Sequence, residues 1–134
     1  MSEQAKAAAD RARSAAQSHP GRKRQQNQDS IHMDDGRGLW IVADGMGGHH
    51  GGEIASAIAC EEIPAAIASG QSVQDALRAA HLKILARGEQ QPELRGLGTT
   101  VVVVRQQGLQ CELAWSGDSR IYRLSGNSLA QLTN

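Results

Sequence analysis

The chain has 134 residues, enough for one domain or part of one, and its 14 basic residues balance 14 acidic ones. Zero net charge argues against broad electrostatic adhesion to nucleic acid or to anionic membrane. Aromatic residues make up 2% and Phe is absent, which removes the stacking platforms a single-stranded nucleic acid binder needs.

The first twelve residues, rich in Ala and charge, read as a flexible tail, with residues 13–134 as the N-terminal part of a single domain. They lack the apolar core of a signal peptide, and no window approaches the roughly 20 apolar residues of a membrane helix. Cys60 and Cys111 form no CxxC pair. Two isolated thiols fit a reducing compartment, so the expected location is the cytoplasm.

His19-Pro20-Gly21 is a turn signal, followed by the basic-polar run from Arg22 to Asp29. Ser30–Met33 reads as a short strand and Asp34–Gly38 as a turn. Leu39-Trp40-Ile41-Val42-Ala43 is a continuous apolar run, expected as a strand buried on both faces. The glycine-rich stretch Val42–Glu53 follows. Glu53–Ser69 reads as a helix that Pro64 should kink or split. Ser72 and Asp75 form a capping-box pattern, opening a second helix with an apolar stripe of Val73, Leu77, Ala80 and Ile84. Gly88–Gly96 is an expected loop.

The remainder is strand. Gly98–Val104 is β-branched, and Cys111, Leu113 and Trp115 alternate with polar or small neighbours, which points Cys111 inward. Turns at Ser116–Ser119 and Gly126-Asn127 separate two more strands. Strands and helices are segregated along the chain, which indicates an α+β fold with antiparallel sheets.

The glycine-rich stretch VADGMGGHHGGE admits four readings. A dinucleotide fingerprint fails because His50 stands where the third glycine belongs. A phosphate-cradling P-loop fails because Glu53 replaces the lysine that reaches the phosphates. A zinc site on His49 and His50 lacks partners at metal-binding spacing, and exposed loop histidines are the plainer account. A hard-cation site fits: Asp44 ends an apolar strand, Gly45 leaves its carbonyl unshielded, and Mg²⁺ or Mn²⁺ takes one or two carboxylates plus water. Against it stands the ordinary Asp-Gly turn. Neighbouring motifs must decide.

Those motifs are Arg24-Gln25-Gln26-Asn27-Gln28-Asp29, Gly98-Thr99-Thr100 and Gly117-Asp118-Ser119-Arg120. With DGMGG, the downstream Gly52-Glu53 and Ala55-Ser56, they stand in one order from Arg24 to Arg120. In that order they resemble the metal-dependent serine/threonine protein phosphatases of type 2C, in their bacterial form. The resemblance implies an αββα fold, an antiparallel β-sandwich flanked by helix pairs, of which this chain is the amino-terminal portion. It implies two Mg²⁺ or Mn²⁺ ions, with a third in bacterial relatives, and hydrolysis of phosphate monoesters by a metal-bound hydroxide. By position, Asp44 matches the aspartate bridging two metals, Gly45 the glycine whose carbonyl binds one, and Asp118 the aspartate serving the third. Asp29 matches the acid acting near the metals through water, and Arg24 the arginine that grips the substrate phosphate. Asn27, Gln28 and Thr99 match supporting positions around them. Expected partners are phosphoserine and phosphothreonine proteins, substrates of a bacterial Ser/Thr kinase.

Two departures concern single residues. Met46 stands where many relatives carry a histidine, so a water must protonate the leaving group. Gln28 replaces a glutamate. The sequence also halts at Leu132-Thr133-Asn134, before the two further aspartates that complete the family's metal cluster. The alternative expectation is therefore a catalytically incomplete half-domain that binds phosphoproteins or self-associates through an exposed strand edge.

Overall fold

The computed structural model describes residues 12–22 and 26–134. Among these residues, seven strands and two long helices follow in the order β1 (Asp29–Asp34), β2 (Leu39–Met46), α1 (Gly51–Ala68), α2 (Val73–Gln90), β3 (Gly98–Thr99), β4 (Val101–Gln107), β5 (Gln110–Ser116), β6 (Tyr122–Ser125) and β7 (Ser128–Gln131). A short 3₁₀ turn, Pro92–Leu94, lies between α2 and β3. The main antiparallel sheet runs β1-β2-β4-β5, with β3 pairing β2, and β6-β7 form a separate hairpin. The architecture is α+β, as the order of elements predicts.

Strand alternation decides where the core sits. Leu39, Ile41 and Ala43 of β2 share a face with Val101 and Val103 of β4, because Ile41 pairs with Val103. The helices cover this face, adding Ala59, Ile63 and Ala66 from α1 and Val73, Ala76 and Ala80 from α2. Ser72 caps α2 by accepting the Asp75 amide at 3.1 Å.

The opposite sheet face differs from expectation. Val42, placed between Ile41 and Ala43, is 44% exposed, because the helices pack on one face only. Cys111 is exposed as well: it lies on that uncovered face, across from Gln106 at the far end of the β4–β5 pair. Pro64 neither ends nor splits α1, which runs unbroken for 18 residues. A proline costs a helix about 3 kcal/mol, and here its neighbours Ile63 and Ala66 are locked in the core. Helix α2 extends to Gln90, past the expected loop start at Gly88, because Gly88 packs under Leu97, where a β-carbon would come within 2.9 Å of its side chain. The tail expected over residues 1–12 lies outside the described residues except for residue 12.

Candidate metal centre

The β1–β2 hairpin turns at residues 35–38, so Asp29 and Asp44 meet at its open end as direct cross-strand partners. The Gly45 amide donates to the Gln28 carbonyl at 3.0 Å. That makes Asp29–Asp44 a non-hydrogen-bonded pair, the kind whose side chains lie closer together. Directly opposed like charges destabilise a sheet unless a cation joins them. Both aspartates are exposed to solvent.

Glycines let the loop fold tightly behind this pair. A β-carbon on Gly45 would lie 1.9 Å from the Gly52 carbonyl oxygen, and one on Gly52 would lie 2.7 Å from the Met46 nitrogen. The first turn of α1 therefore rests directly on the end of β2. Between them, Gly48 accepts the Gly51 amide at 2.9 Å, with His49 and His50 both at positive φ (53° and 67°). Two consecutive non-glycine residues in the left-handed region are a local strain, usually of order 1–3 kcal/mol each. Both histidines are exposed, and His50 Nδ1 stands 3.5 Å from the Glu53 carboxylate.

Side-chain hydroxyls and amides fasten the pieces. Ser56, fully buried on α1, donates to the Gln28 carbonyl at 2.7 Å and lies 2.9 Å from Ser30 Oγ. Gln28 Nε2 donates to the Gly47 carbonyl at 3.2 Å. Asn27 Oδ1 accepts the Asp29 amide at 3.0 Å, fixing the entry to β1, while its Nδ2 donates to Ser18 Oγ at 2.5 Å.

On the other flank the valine strand breaks at Thr100, dividing β3 from β4. The Thr100 carbonyl accepts from the Thr99 hydroxyl at 2.7 Å. The Asp44 amide donates instead to Thr100 Oγ1 at 3.3 Å, and the Thr100 amide returns a bond to the Asp44 carbonyl at 2.9 Å. Thr100 Oγ1 also lies 2.7 Å from Ser119 Oγ. Gly117, at φ 101°, packs so closely that a β-carbon would meet Thr100 Cγ2 at 2.7 Å. Through these contacts the Gly117–Arg120 turn is docked beside Asp44. Thr99 itself pairs with Gly45 across β2 and β3.

The predicted site residues thus divide. Asp29, Asp44, Gly45, Asn27, Gln28 and Thr99 gather at one end of the sheet. Asp118 sits on the adjoining turn, exposed, and among the described residues no three metal-ligating side chains cluster. Arg24 lies outside the described residues. Ser119 and Ser56 had no assigned place in the site, while Thr100, with Thr99, holds the sheet beside it. Their motifs were visible in sequence, but which hydroxyl faces which backbone group depends on the strand break. The donor types suit a hard divalent cation: Asp29 and Asp44 are cross-strand neighbours with Gly45 beside them, and all the donors are oxygen. Asp29 and Asp44 would hold it.

Comparison with known proteins identifies the family and the fold. A family model described as Protein phosphatase 2C matches residues 15–134. The serine/threonine protein phosphatase PstP of Mycobacterium tuberculosis is 37% identical over 131 residues, covering 90% of this chain and 24% of that protein. The serine/threonine phosphatase Stp of Listeria welshimeri is 34% identical, covering 84% of this chain and 50% of its own. Protein phosphatase PhpP of Streptococcus pneumoniae is 36% identical, covering 85% of this chain and 51% of its own. The chain therefore spans half the length of these relatives or less. Among solved structures, the catalytic domain of PstP in complex with two manganese ions superposes with a TM-score of 0.80 at 35% identity, over 89% of this chain and 54% of that one. PppA of Pseudomonas aeruginosa gives a TM-score of 0.71 at 35% identity, over 90% of this chain and 55% of its own. The family match over residues 15–134 and the superposed antiparallel sheet and helix pair agree: the chain belongs to the protein phosphatase 2C family.

Proposed function

We propose that this chain supplies the amino-terminal part of a Mg²⁺- or Mn²⁺-dependent serine/threonine phosphoprotein phosphatase. The observation that carries the reading is the opposed Asp29–Asp44 pair at the glycine-tightened end of β2. Divalent cations, when bound, lower the pKa of water and shield the charge of a transferring phosphoryl group. The protein's own contribution is positioning. Asp44 is held by its backbone bonds to Thr100, so its carboxylate points from a rigid strand end. Asp29 is steadied by Asn27 and faces Asp44 across the hairpin. Arg24, five residues before Asp29, is assigned the substrate phosphate, whose oxygens a planar guanidinium can hold in pairs. Asp118 is assigned a further ion, and Asn27, Gln28 and Thr99 support the inner ligands. Phosphoserine and phosphothreonine proteins, made by a bacterial Ser/Thr kinase in the cytoplasm, are the substrates.

The test is Asp44→Asn in the full-length polypeptide, assayed with p-nitrophenyl phosphate and Mn²⁺. Turnover should fall at least about 100-fold, and calorimetry should register weaker manganese uptake. Unchanged uptake and turnover would remove Asp44 from the centre.

A second reading rests on the two-carboxylate count among the described residues. The 134-residue chain by itself would then bind phosphoproteins, or pair with a copy along the outer edge of β5, without appreciable turnover. Phosphopeptide retention without hydrolysis favours this reading, and turnover by the isolated chain refutes it.

A further inference from the structure

Residues 14–21 form neither helix nor strand, and they lie outside every motif of the site. Hydrogen bonds nevertheless fasten them at both ends of the β1–β2 hairpin. At the turn, Asp35 accepts from the Ser14 amide at 3.2 Å and from the Ser14 hydroxyl, beside a bond from the Trp40 indole at 2.8 Å. At the open end, Ser18 Oγ accepts from Asn27 Nδ2 at 2.5 Å. Directly after Ser18, His19 Nδ1 accepts the Gly21 amide at 2.9 Å and closes a turn, with Gly21 at φ 83°.

The open end is where the sheet most needs a side-chain hold. Asp29–Asp44 is the last rung of the β1–β2 ladder, and terminal pairs open first. Because that rung is a non-hydrogen-bonded pair, the Asp29 amide points away from β2. β1 is the edge of the sheet, so no strand lies on that side to receive it. Asn27 Oδ1 accepts it instead, at 3.0 Å.

The polarity of the link is forced. A backbone amide only donates, so the Asn27 atom facing Asp29 must be the carbonyl oxygen. The Asn27 NH₂ group then faces Ser18, whose hydroxyl oxygen accepts from it. Flipping the Asn27 amide would set N–H against N–H at Asp29, and the bond to Ser18 resists the flip. Both bonds lie near the surface, where water competes for each group once its partner is gone.

We infer that Ser18 is a positioning residue of the metal centre: through Asn27 it fixes the Asp29 amide, and with it the place from which the Asp29 carboxylate meets the ion. The inference rests on the reading of Asp29 and Asp44 as metal ligands.

Manganese titration calorimetry on the full-length polypeptide tests it. Ser18→Ala should weaken binding about threefold or more, and Ser18→Thr, which keeps the oxygen, should stay within about twofold of the parent. In an Asn27→Ala background Ser18→Ala should add nothing, because the link is already cut, whereas independent effects would multiply. Ser14→Ala removes a hydroxyl bond from the same segment at the opposite end of the hairpin, and should leave manganese affinity within about twofold. Hydrogen exchange at the Asp29 amide, followed in EDTA, reads the same link with no metal present and should quicken about threefold or more in Ser18→Ala. Parent-like affinity or parent-like exchange in Ser18→Ala overturns the inference. So do multiplying losses in the double variant, a threonine variant as weak as the alanine one, or equal weakening by Ser14→Ala, which would mark a general loosening of the segment. A parent that takes up no manganese overturns the metal reading and this inference with it; a parent that binds manganese through Asp44 while Ser18→Ala changes nothing overturns this inference alone.

Discussion

Replacing Gly45 with alanine measures how tightly the metal centre is built. The new methyl would lie 1.9 Å from the Gly52 carbonyl oxygen, 2.4 Å from its carbon and 2.8 Å from the Gln28 carbonyl oxygen. All three are backbone atoms, so no side chain can swing aside. To restore even a 3.0 Å approach, α1 and β2 must separate by about 1.1 Å. Overpacking costs about 1–3 kcal/mol in general. A contact with two backbone segments at once belongs at the upper end, near 3 kcal/mol. For a chain of this size that is a fall in melting temperature of about 10–12 °C. The assay is thermal unfolding by far-ultraviolet circular dichroism in excess EDTA, which keeps metal binding from contributing to the midpoint. Gly48→Ala is the control, because nothing lies within 4 Å of a β-carbon there, and its midpoint should move by no more than about 2 °C. If Gly45→Ala melts with the parent, or no lower than Gly48→Ala, the close approach of α1 to β2 is not as described.

Thr100→Val keeps the shape of a buried side chain but removes the oxygen shared by the Asp44 amide and Ser119. We expect a loss of about 1–3 kcal/mol in urea unfolding, with weaker manganese uptake because Asp44 loses its brace; an unchanged midpoint would show that the hydroxyl carries no load. Burial pushes the Cys60 thiol from 9.0 up to about 11. The folded protein thus favours the protonated thiol, so its effect on stability is constant below pH 9, and stability declines as pH climbs from 9 towards 11. At pH 8 a thiol-disulfide reagent should modify exposed Cys111 quickly and Cys60 slowly; equal rates would contradict the burial of Cys60.

The sequence was most legible where one local rule sufficed. The Ser72 cap and the Val73–Ala80 stripe gave α2, and alternation gave β5. Legibility failed where a residue's setting depended on a distant partner. Pro64 signals a helix break, yet core contacts from both neighbours carry α1 through it. Cys111 alternates like a core residue, but alternation does not say which face the helices will cover. The continuous run Leu39–Ala43 gives the same ambiguity, and Val42 ends in solvent. Within the site, the motif order pointed to Asp29 and Asp44, whereas the break at Thr100 has no local signature in a run of β-branched residues. Only the pairing of β2 with two successive strands exposes it.

The same pairing bears on why the centre is assembled as it is. A sheet that placed Asp29 opposite Asp44 for stability alone would be a poor design, since opposed carboxylates repel. The surrounding contacts hold the backbones of the two residues in this pairing. Slipping the hairpin register by one residue would turn Ile41 and Ala43 out of the core. Moving β2 away from α1 would break the Gly45–Gly52 contact and the Ser56–Gln28 hydrogen bond. Rotating the Asp44 backbone would cost its paired bonds with Thr100. The cross-strand pairing is therefore retained by the packing, and on the proposed reading a divalent cation held by the two carboxylates would offset their repulsion. Such a site should be more stable with manganese than with EDTA. Asp44→Asn, by removing one of the two charges, should raise stability in EDTA and lower the gain on adding manganese. A variant that is less stable than the parent in EDTA would mean that Asp44 is held by some other favourable interaction, and that the pair is not kept for an ion.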